Sequence, residues 1–278
     1  MAPIQHLGNI DKRKRTSQQV AFGFFSFLSY LVVVILFVIL GFIILKGASV
    51  ISWDFLTQAP QEGMTSGGIF PAIVGTLYLV IGSSLISFPI GIMSGIYMNE
   101  YATNGKLIRF IRIMTNNLSG VPSVVFGLFG MSLFVSTLGW GDSIIAGSFT
   151  LALMSLPLII RTTEEALKSI DDSFRHGSLA LGATKLQTIR RVVLPSGETA
   201  PILFTVAAYF LPQLPKSIFD QCMALPYHLY VISTSGTDIE ASRGMAYGTA
   251  LVLIVIVLLV NLLANALRSY FAKKVKMN

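Results

Sequence analysis

The sequence predicts an all-α polytopic membrane protein with about six transmembrane helices. Of its 278 residues, 53% are hydrophobic and only 12% are charged, and the mean hydropathy is +0.72. Soluble domains carry about 25% charged residues, because a folded globule needs a polar shell. The apolar residues fall into separate long runs, and the cations stand in the gaps between those runs. This pattern is typical of a chain that crosses a bilayer several times.

The apolar runs define the predicted crossings. The first, at residues 21–45, exceeds the ~20 residues needed to cross. It is expected to remain uncleaved as a membrane span. In the second, Gly91 and Gly95 have the small-xxx-small spacing that allows helices to approach closely. The fifth, at residues 200–211, covers only about 18 Å of a ~30 Å hydrocarbon core at ~1.5 Å per residue. The remaining runs lie at about residues 69–98, 113–138, 144–160 and 245–267.

The distribution of cations predicts the topology. With six crossings and both termini in the cytoplasm, 17 of the 20 Lys and Arg residues lie inside and 3 outside, as the positive-inside rule requires. The net charge of +7 is therefore read as a topology signal rather than as a nucleic-acid surface. The predicted organisation is a cytoplasmic tail (1–20), the first span (21–45), an extracytoplasmic loop (46–68), a transmembrane domain (69–267) with a cytoplasmic loop (161–195), and a cytoplasmic tail (268–278).

Several classes of site are not expected. The single cysteine, Cys222, cannot form an intramolecular disulfide and has no metal-ligand spacing around it. His6, His176 and His228 share no spacing, so we expect no metal site. There is no P-loop, so the chain is not expected to hydrolyse ATP, to bind a cofactor or to be an enzyme.

The cytoplasmic loop at residues 161–195 is the most informative segment. Thr163-Glu164-Glu165 predicts a helix start, because acidic residues favour the first turn. Gly182 is expected to break or sharply bend the helical pattern that follows. The loop is therefore predicted to form two short amphipathic helices joined at a glycine elbow.

The spacing around Gly182 resembles the EAA loop of ABC importer permeases. The matching stretches are His176-Gly177-Ser178, Leu179-Ala180-Leu181, Gly182, nine further residues beginning with Ala183, and Val192-Val193-Leu194-Pro195. The opening triplet departs from the family, which has Glu-Ala-Ala there. The resemblance implies a coupling helix that docks on a partner ATPase. The implied coupling residues are Ser178, Leu181, Gly182, Ala183, Val192, Leu194 and Pro195.

Other motifs resemble the PstA-type permease of the phosphate importer. They are Ile73-Val74-Gly75-Thr76-Leu77, Leu118-Ser119-Gly120-Val121-Pro122-Ser123, Gly197-Glu198-Thr199-Ala200-Pro201 and Met223-Ala224-Leu225-Pro226. The resemblance implies a multi-pass permease of the cytoplasmic membrane that translocates inorganic phosphate. It also implies four kinds of partner: a second permease of similar fold, two ATPase subunits, an extracytoplasmic phosphate-binding protein and the lipid bilayer.

The chain departs from this family directly after Pro195. In the family, about one further apolar span, including a pathway arginine, separates the Leu-Pro from the Gly-Glu-Thr-Ala-Pro motif, whereas here only Ser196 intervenes. Glu198 and Thr199 are the implied translocation-pathway residues, and capping of a helix is the alternative role for Glu198. An apparent internal deletion explains both the lost arginine and the short fifth stretch.

Two alternative functions stay open from the sequence. One is a permease for another oxyanion, such as molybdate or sulfate. The other is a truncated subunit that no longer transports but still docks a partner ATPase, which the apparent deletion supports.

Overall fold

The computed structural model of the protein describes residues 4–102, 105–193, 214–234 and 239–276. The regular secondary structure of these residues is helical, apart from a short antiparallel pairing of Pro60–Gln61 with Ser66–Gly67. The α-helices in the described ranges are α1 (Ile4–Ala48), α2 (Trp53–Thr57), α3 (Phe70–Ile96), α4 (Lys106–Leu118), α5 (Ser123–Gly130), α6 (Ile144–Lys168), α7 (Asp172–Ala180), α8 (Lys185–Thr188), α9 (Leu225–Thr234) and α10 (Ile239–Lys276). Short π-helical segments continue α3 (Tyr97–Tyr101), α5 (Met131–Thr137) and α8 (Ile189–Val193).

Four described helices are long and apolar enough to cross a membrane. These segments are Gln18–Ala48, Phe70–Tyr101, Ile144–Lys168 and Ser242–Ala266. The predicted all-α membrane architecture is therefore confirmed. α1 begins at Ile4, so the helix extends through most of the residues predicted as a tail. The short fifth stretch at residues 200–211 lies outside the described residues.

The third predicted crossing is not one continuous helix. α4 and the segment Ser123–Thr137 meet at an angle of 103°, so the run predicted as the third crossing is divided between two helices. The break has a local cause: Pro122 has no amide hydrogen, and the residue before a proline avoids the helical region. Hydrogen bonds from Gly120 N to Asn117 O (3.0 Å) and from Val121 N to Leu118 O (3.1 Å) close the turn instead.

The helices α3 and α6 pack along each other and form the central pair of the fold. A Cβ atom at Gly91 would overlap the side chain of Ile159, and one at Gly95 would lie 2.7 Å from Thr163 Cβ. The absence of a side chain at these two positions lets the helices come this close, as their spacing predicts. The contact ends near Ile96, at the same end of α3 as the loop that follows α6.

The two ends of the α3–α6 pair are covered by different segments. At the end where α6 begins, Ile144 N donates to Asp220 O (2.9 Å) and Ile145 N donates to Ile218 O (3.0 Å). At the end where α6 stops, Val193 is buried together with Leu167 and Ile170. The described residues on either side of positions 194–213 therefore lie at opposite ends of α6.

Candidate functional site

The candidate site is the loop that follows α6, and α6 itself enters it further than expected. α6 runs without interruption from Ile144 to Lys168, so the predicted helix start at Thr163 is wrong. The acidic residue Glu164 instead lies on the last turns of the spanning helix and is 8% exposed. Its Oε1 forms ion pairs with Arg112 Nη2 of α4 (2.9 Å) and with Lys168 Nζ (2.8 Å).

The first helix of the loop, α7, begins at a capped N-terminus. Asp171 Oδ1 accepts a hydrogen bond from Ser173 N (2.7 Å), which satisfies one of the free amides of the first turn. The hydrogen bond from the Ser173 backbone lowers the pKa of this carboxyl group. The carboxylate therefore stays charged at neutral pH. Its negative charge interacts favourably with the positive, N-terminal end of the α7 dipole.

The elbow at Gly182 is present as predicted. Gly182 has φ +83°, a backbone conformation that side chains disfavour, and an added Cβ would meet nothing within 4 Å. The chain then enters α8 through a capping box. Gln187 N donates to Thr184 Oγ1 (3.3 Å), and Thr184 N donates to Gln187 Oε1 (2.8 Å). Two short helices thus meet at a glycine turn.

Large apolar side chains on both sides of this elbow are exposed at the protein surface. Leu181, directly before Gly182, is 91% exposed, and Leu186 is 66% exposed. Phe174 and Leu179 on α7 are also exposed. These four side chains are called the tip below. Exposed large apolar residues grouped on a polar loop are typical of surfaces that contact another protein or a membrane.

Arg175 holds α7 to the neighbouring helices. Its Nη1 donates to Ile170 O (2.8 Å) and Asp172 Oδ1 (2.8 Å), and its Nη2 donates to Leu167 O (2.7 Å). The same guanidinium donates to Glu100 Oε1 through Nε (3.2 Å) and Nη2 (3.0 Å). The buried contacts of Arg175 with Glu100 and of Glu164 with Arg112 are called the anchor below.

The predicted coupling residues differ in their exposure. Ser178 is half-buried and its hydroxyl lies 3.0 Å from Thr188 Oγ1, while Leu181 and Gly182 are exposed at the elbow. Ala183 and Val192 are half-buried. The predicted residues Leu194, Pro195, Glu198 and Thr199 lie outside the described residues.

The anchor was missed by reasoning from the sequence. Glu100 follows an apolar run in a segment whose other charges are Lys106, Arg109 and Arg112, so a lone acid among cations was the available signal. Its partner Arg175 lies 75 positions away. No local pattern links two residues at that separation.

The sequence profile described as "Binding-protein-dependent transport system inner membrane component" matches residues 87–277, a range that includes the last part of α3, all of α6 and the whole loop after α6. The chain belongs to this family. It is therefore an inner membrane permease component of an ABC transporter. The EAA-type loop identified from its spacing is accordingly part of a family permease.

Relatives match almost the full length of the permease. It is 32% identical to the "Probable ABC transporter permease protein YqgI" of Bacillus subtilis, covering 95% of this chain and 99% of that protein. It is 33% identical to the "Phosphate transport system permease protein PstA" of Mycobacterium leprae, covering 93% and 91%. The predicted resemblance to PstA-type permeases is confirmed.

Solved structures support the fold. A chain of a bacterial ABC transporter that imports the acidic polysaccharide alginate gives a TM-score of 0.61 at 14% identity, covering 92% of this permease and 99% of that chain. A chain of the MetNI methionine ABC transporter gives 0.53 at 17% identity, covering 73% and 94%. The predicted fold of a type-1 ABC importer permease is confirmed.

The relatives are longer than this permease inside the matched region. The comparison with the Bacillus subtilis protein extends over 294 residues, although this chain has 278 in total and 95% of it, about 264, is matched. About 30 positions of that comparison (294 less 264) therefore have no residue in this chain.

Proposed function

We propose that the chain is a membrane-spanning permease subunit of an ATP-driven importer of inorganic phosphate. The elbow at Gly182 is the observation that supports coupling to ATP hydrolysis. It presents the exposed apolar tip, and the anchor fixes the loop to the rest of the protein. The substrate rests on relatives whose names state phosphate transport, such as the Mycobacterium leprae protein. As its partners we propose a second permease of similar fold, two ATPase subunits and an extracytoplasmic phosphate-binding protein.

The tip is the proposed docking surface for the ATPase. Leu181 and Leu186 flank Gly182 and are the most exposed of its four side chains. Burying one leucine side chain in a partner groove contributes about 1.5–3 kcal/mol. ATP-driven movement of the docked ATPases would push the elbows and switch the permease pair between inward- and outward-open states by rigid-body rotation.

The loop and both termini are proposed to lie in the cytoplasm. The charge distribution supports this orientation, and the position of Val193 and Ile218 at opposite ends of α6 supports a crossing between these two residues. The proposed domain limits remain those predicted from the sequence.

A cysteine-labelling experiment tests this orientation. Ser169 and Ser217 are both exposed and are changed to cysteine one at a time, with the buried Cys222 replaced by serine. We expect a membrane-impermeant maleimide to label the Ser217→Cys protein in cells whose cytoplasmic membrane is intact. The Ser169→Cys protein should react only after permeabilisation, and the reverse pattern would contradict the orientation.

We also propose that the residues absent relative to the longer relatives belong directly after Pro195. The departure from the family motif at that point supports this position. Glu198 and Thr199 remain the proposed pathway residues, now without the family's arginine beside them. Insertion of the corresponding segment of a longer relative after Pro195 should raise transport if the deletion weakens the pathway, and equal transport with and without it would contradict the proposal.

Phosphate uptake tests the proposed function. The permease is expressed with its partners in a strain that lacks its own phosphate permease of this type, and uptake of labelled phosphate is measured. We expect uptake that requires ATP and that excess sulfate or molybdate does not reduce. Inhibition by either oxyanion would favour the other substrate class.

A non-transporting subunit is the second candidate, and the missing residues favour it. In that case the ATPases would still co-purify with the permease, while uptake would stay at the level of the empty strain. Uptake above that level from the unmodified chain excludes this candidate.

A further inference from the structure

We propose that the π-helical segment Tyr97–Tyr101 is the joint through which movement of the docking loop enters α3, with Glu100 and Arg175 as its positioning pair. The inference rests on the proposed ATP-driven function. It concerns the route inside the permease rather than the docking itself. No part of the tip contributes to it.

Three cationic side chains from three different helices contact this joint. Arg112 of α4 donates from Nη2 to Met98 O (3.1 Å). Arg175 of α7 binds the Glu100 carboxylate. Lys185 of α8 places its Nζ 5.0 Å from the centre of the Tyr101 ring. The cytoplasmic end of α3 is therefore attached to α4 and to both helices of the docking loop.

Glu100 and Arg175 form the most enclosed of these contacts. Their side chains are 6% and 15% exposed, whereas the neighbouring pair of Arg161 and Glu165 is more than half exposed. Glu100 Oε1 also accepts from Asn99 Nδ2 (2.8 Å), which fixes the orientation of the carboxylate. Because this charge pair is shielded from water, its attraction is stronger than that of an exposed pair. We therefore expect the two side chains to stay in contact when the loop moves.

The guanidinium is also fixed from the other direction. It donates to the carbonyl oxygens of Leu167 and Ile170, where α6 ends and the loop begins. A displacement of α7 therefore acts on Glu100 through one rigid planar group rather than through a flexible chain. Energetic coupling between distant sites requires a contiguous physical connection of this kind.

The π-helical geometry makes this turn the point where α3 can respond. Ala102 N donates to Tyr97 O (2.9 Å), five residues back, so the turn is wider than an α-helical turn. Above it, α3 is packed tightly on α6 through Gly91 and Gly95. We infer that the turn changes its winding while the packed part of α3 moves as one body.

The test uses the complete importer, with both permeases, the ATPases and the binding protein in liposomes. Glu100→Ala removes the acceptor, and Glu100→Gln keeps an acceptor but removes the charge. Glu165→Ala and Glu165→Gln are the matched controls, because Glu165 is exposed and lies outside the joint. Phosphate transported, ATP hydrolysed and ATPase retained on purification are measured for each variant.

We expect phosphate transported per ATP to fall about tenfold in Glu100→Ala and less in Glu100→Gln. ATPase retention should stay unchanged, and both controls should match the unmodified importer. A purely structural role would instead reduce the amount of assembled complex and leave the ratio unchanged. An unchanged ratio in Glu100→Ala, with the complex assembled, overturns the inference.

A second readout separates this inference from the proposed substrate. A fluorophore is attached at Met93→Cys, an exposed position on α3, with Cys222 replaced by serine. ATP with vanadate should change its emission in the otherwise unmodified complex and in Glu165→Ala, but not in Glu100→Ala. If the unmodified importer moves no phosphate yet shows this pattern, the substrate proposal fails and the joint stands. An emission change that persists in Glu100→Ala overturns the joint.

Discussion

The anchor and the tip have opposite surroundings, although the anchor holds the same loop on which the tip lies. Arg175 and Glu164 are enclosed by partners from α3, α4 and α6, and each forms more than one polar contact. Leu181 and Leu186 on the tip are mostly exposed. We therefore expect the anchor to stabilise the folded chain and the exposed tip to contribute little to its stability. Substitutions should separate the two roles.

The largest effect is expected at the anchor. Glu164→Ala removes the carboxylate that Arg112 and Lys168 share, and it leaves the partly buried guanidinium without its counter-charge. We expect the free energy of unfolding to fall by about 2 kcal/mol, measured by thermal unfolding of the purified permease in detergent.

Glu165→Ala is the control, because it breaks an exposed pair on the next position of the same helix. Exposed pairs contribute about 0.2–1 kcal/mol, so its melting temperature should stay close to the original. Equal losses of stability in Glu164→Ala and Glu165→Ala would contradict the distinction between the enclosed ion pairs of the anchor and an exposed ion pair.

At the tip, binding rather than stability should change. Leu181→Ser removes the most exposed apolar side chain of the loop. We expect the dissociation constant for the ATPase to rise about ten- to a hundredfold, because a buried leucine contributes about 1.5–3 kcal/mol and serine recovers little of it. The melting temperature of the free permease should stay the same, since exposed substitutions usually change stability by less than about 0.5 kcal/mol.

Leu158→Ser provides the comparison for that measurement. Leu158 is exposed on α6 but does not belong to the tip. It should leave ATPase affinity unchanged in a binding titration. A similar loss of affinity for both variants would show that the tip is not a specific docking surface.

The smallest effect is expected at the elbow, where two glycines can be compared directly. No atom lies within 4 Å of an added Cβ at Gly177 or at Gly182, but only Gly182 has a positive φ (+83°). Gly182→Ala should cost about 1 kcal/mol through backbone strain. Gly177→Ala, inside α7, should stabilise the helix by a similar amount.

Circular dichroism melting and ATPase titration on the same preparations measure both glycine variants. Opposite shifts in stability are expected, with weaker docking for Gly182→Ala alone. Shifts of the same sign would show that the conformation at Gly182 does not shape the elbow.

Much of this architecture follows from the sequence because it depends on local patterns. Apolar runs longer than the bilayer core predict the spans, and a glycine between amphipathic segments predicts the elbow at Gly182. The bend after α4 could also have been predicted, since Pro122 interrupts the run at 113–138. The continuation of α6 to Lys168 could not, because the acids at Glu164 and Glu165 resemble a helix start when their partners are unknown.

The tertiary structure alone decided which charges of the loop are buried and which surface is left open. Glu100 and Arg175 are separated by 75 positions, and only the packing of α3 against α6 brings them together. In the sequence, Arg175 looks like any other cation of a cytoplasmic loop, because charge and spacing do not specify enclosure. Leu181 and Leu167 are likewise the same residue type within the segment 161–195, yet one is 91% exposed and the other 1%. The sequence by itself determined the four continuous spans of the described residues and the glycine elbow, because these depend on neighbours along the chain. The division of the loop into anchor and tip depends on neighbours in space.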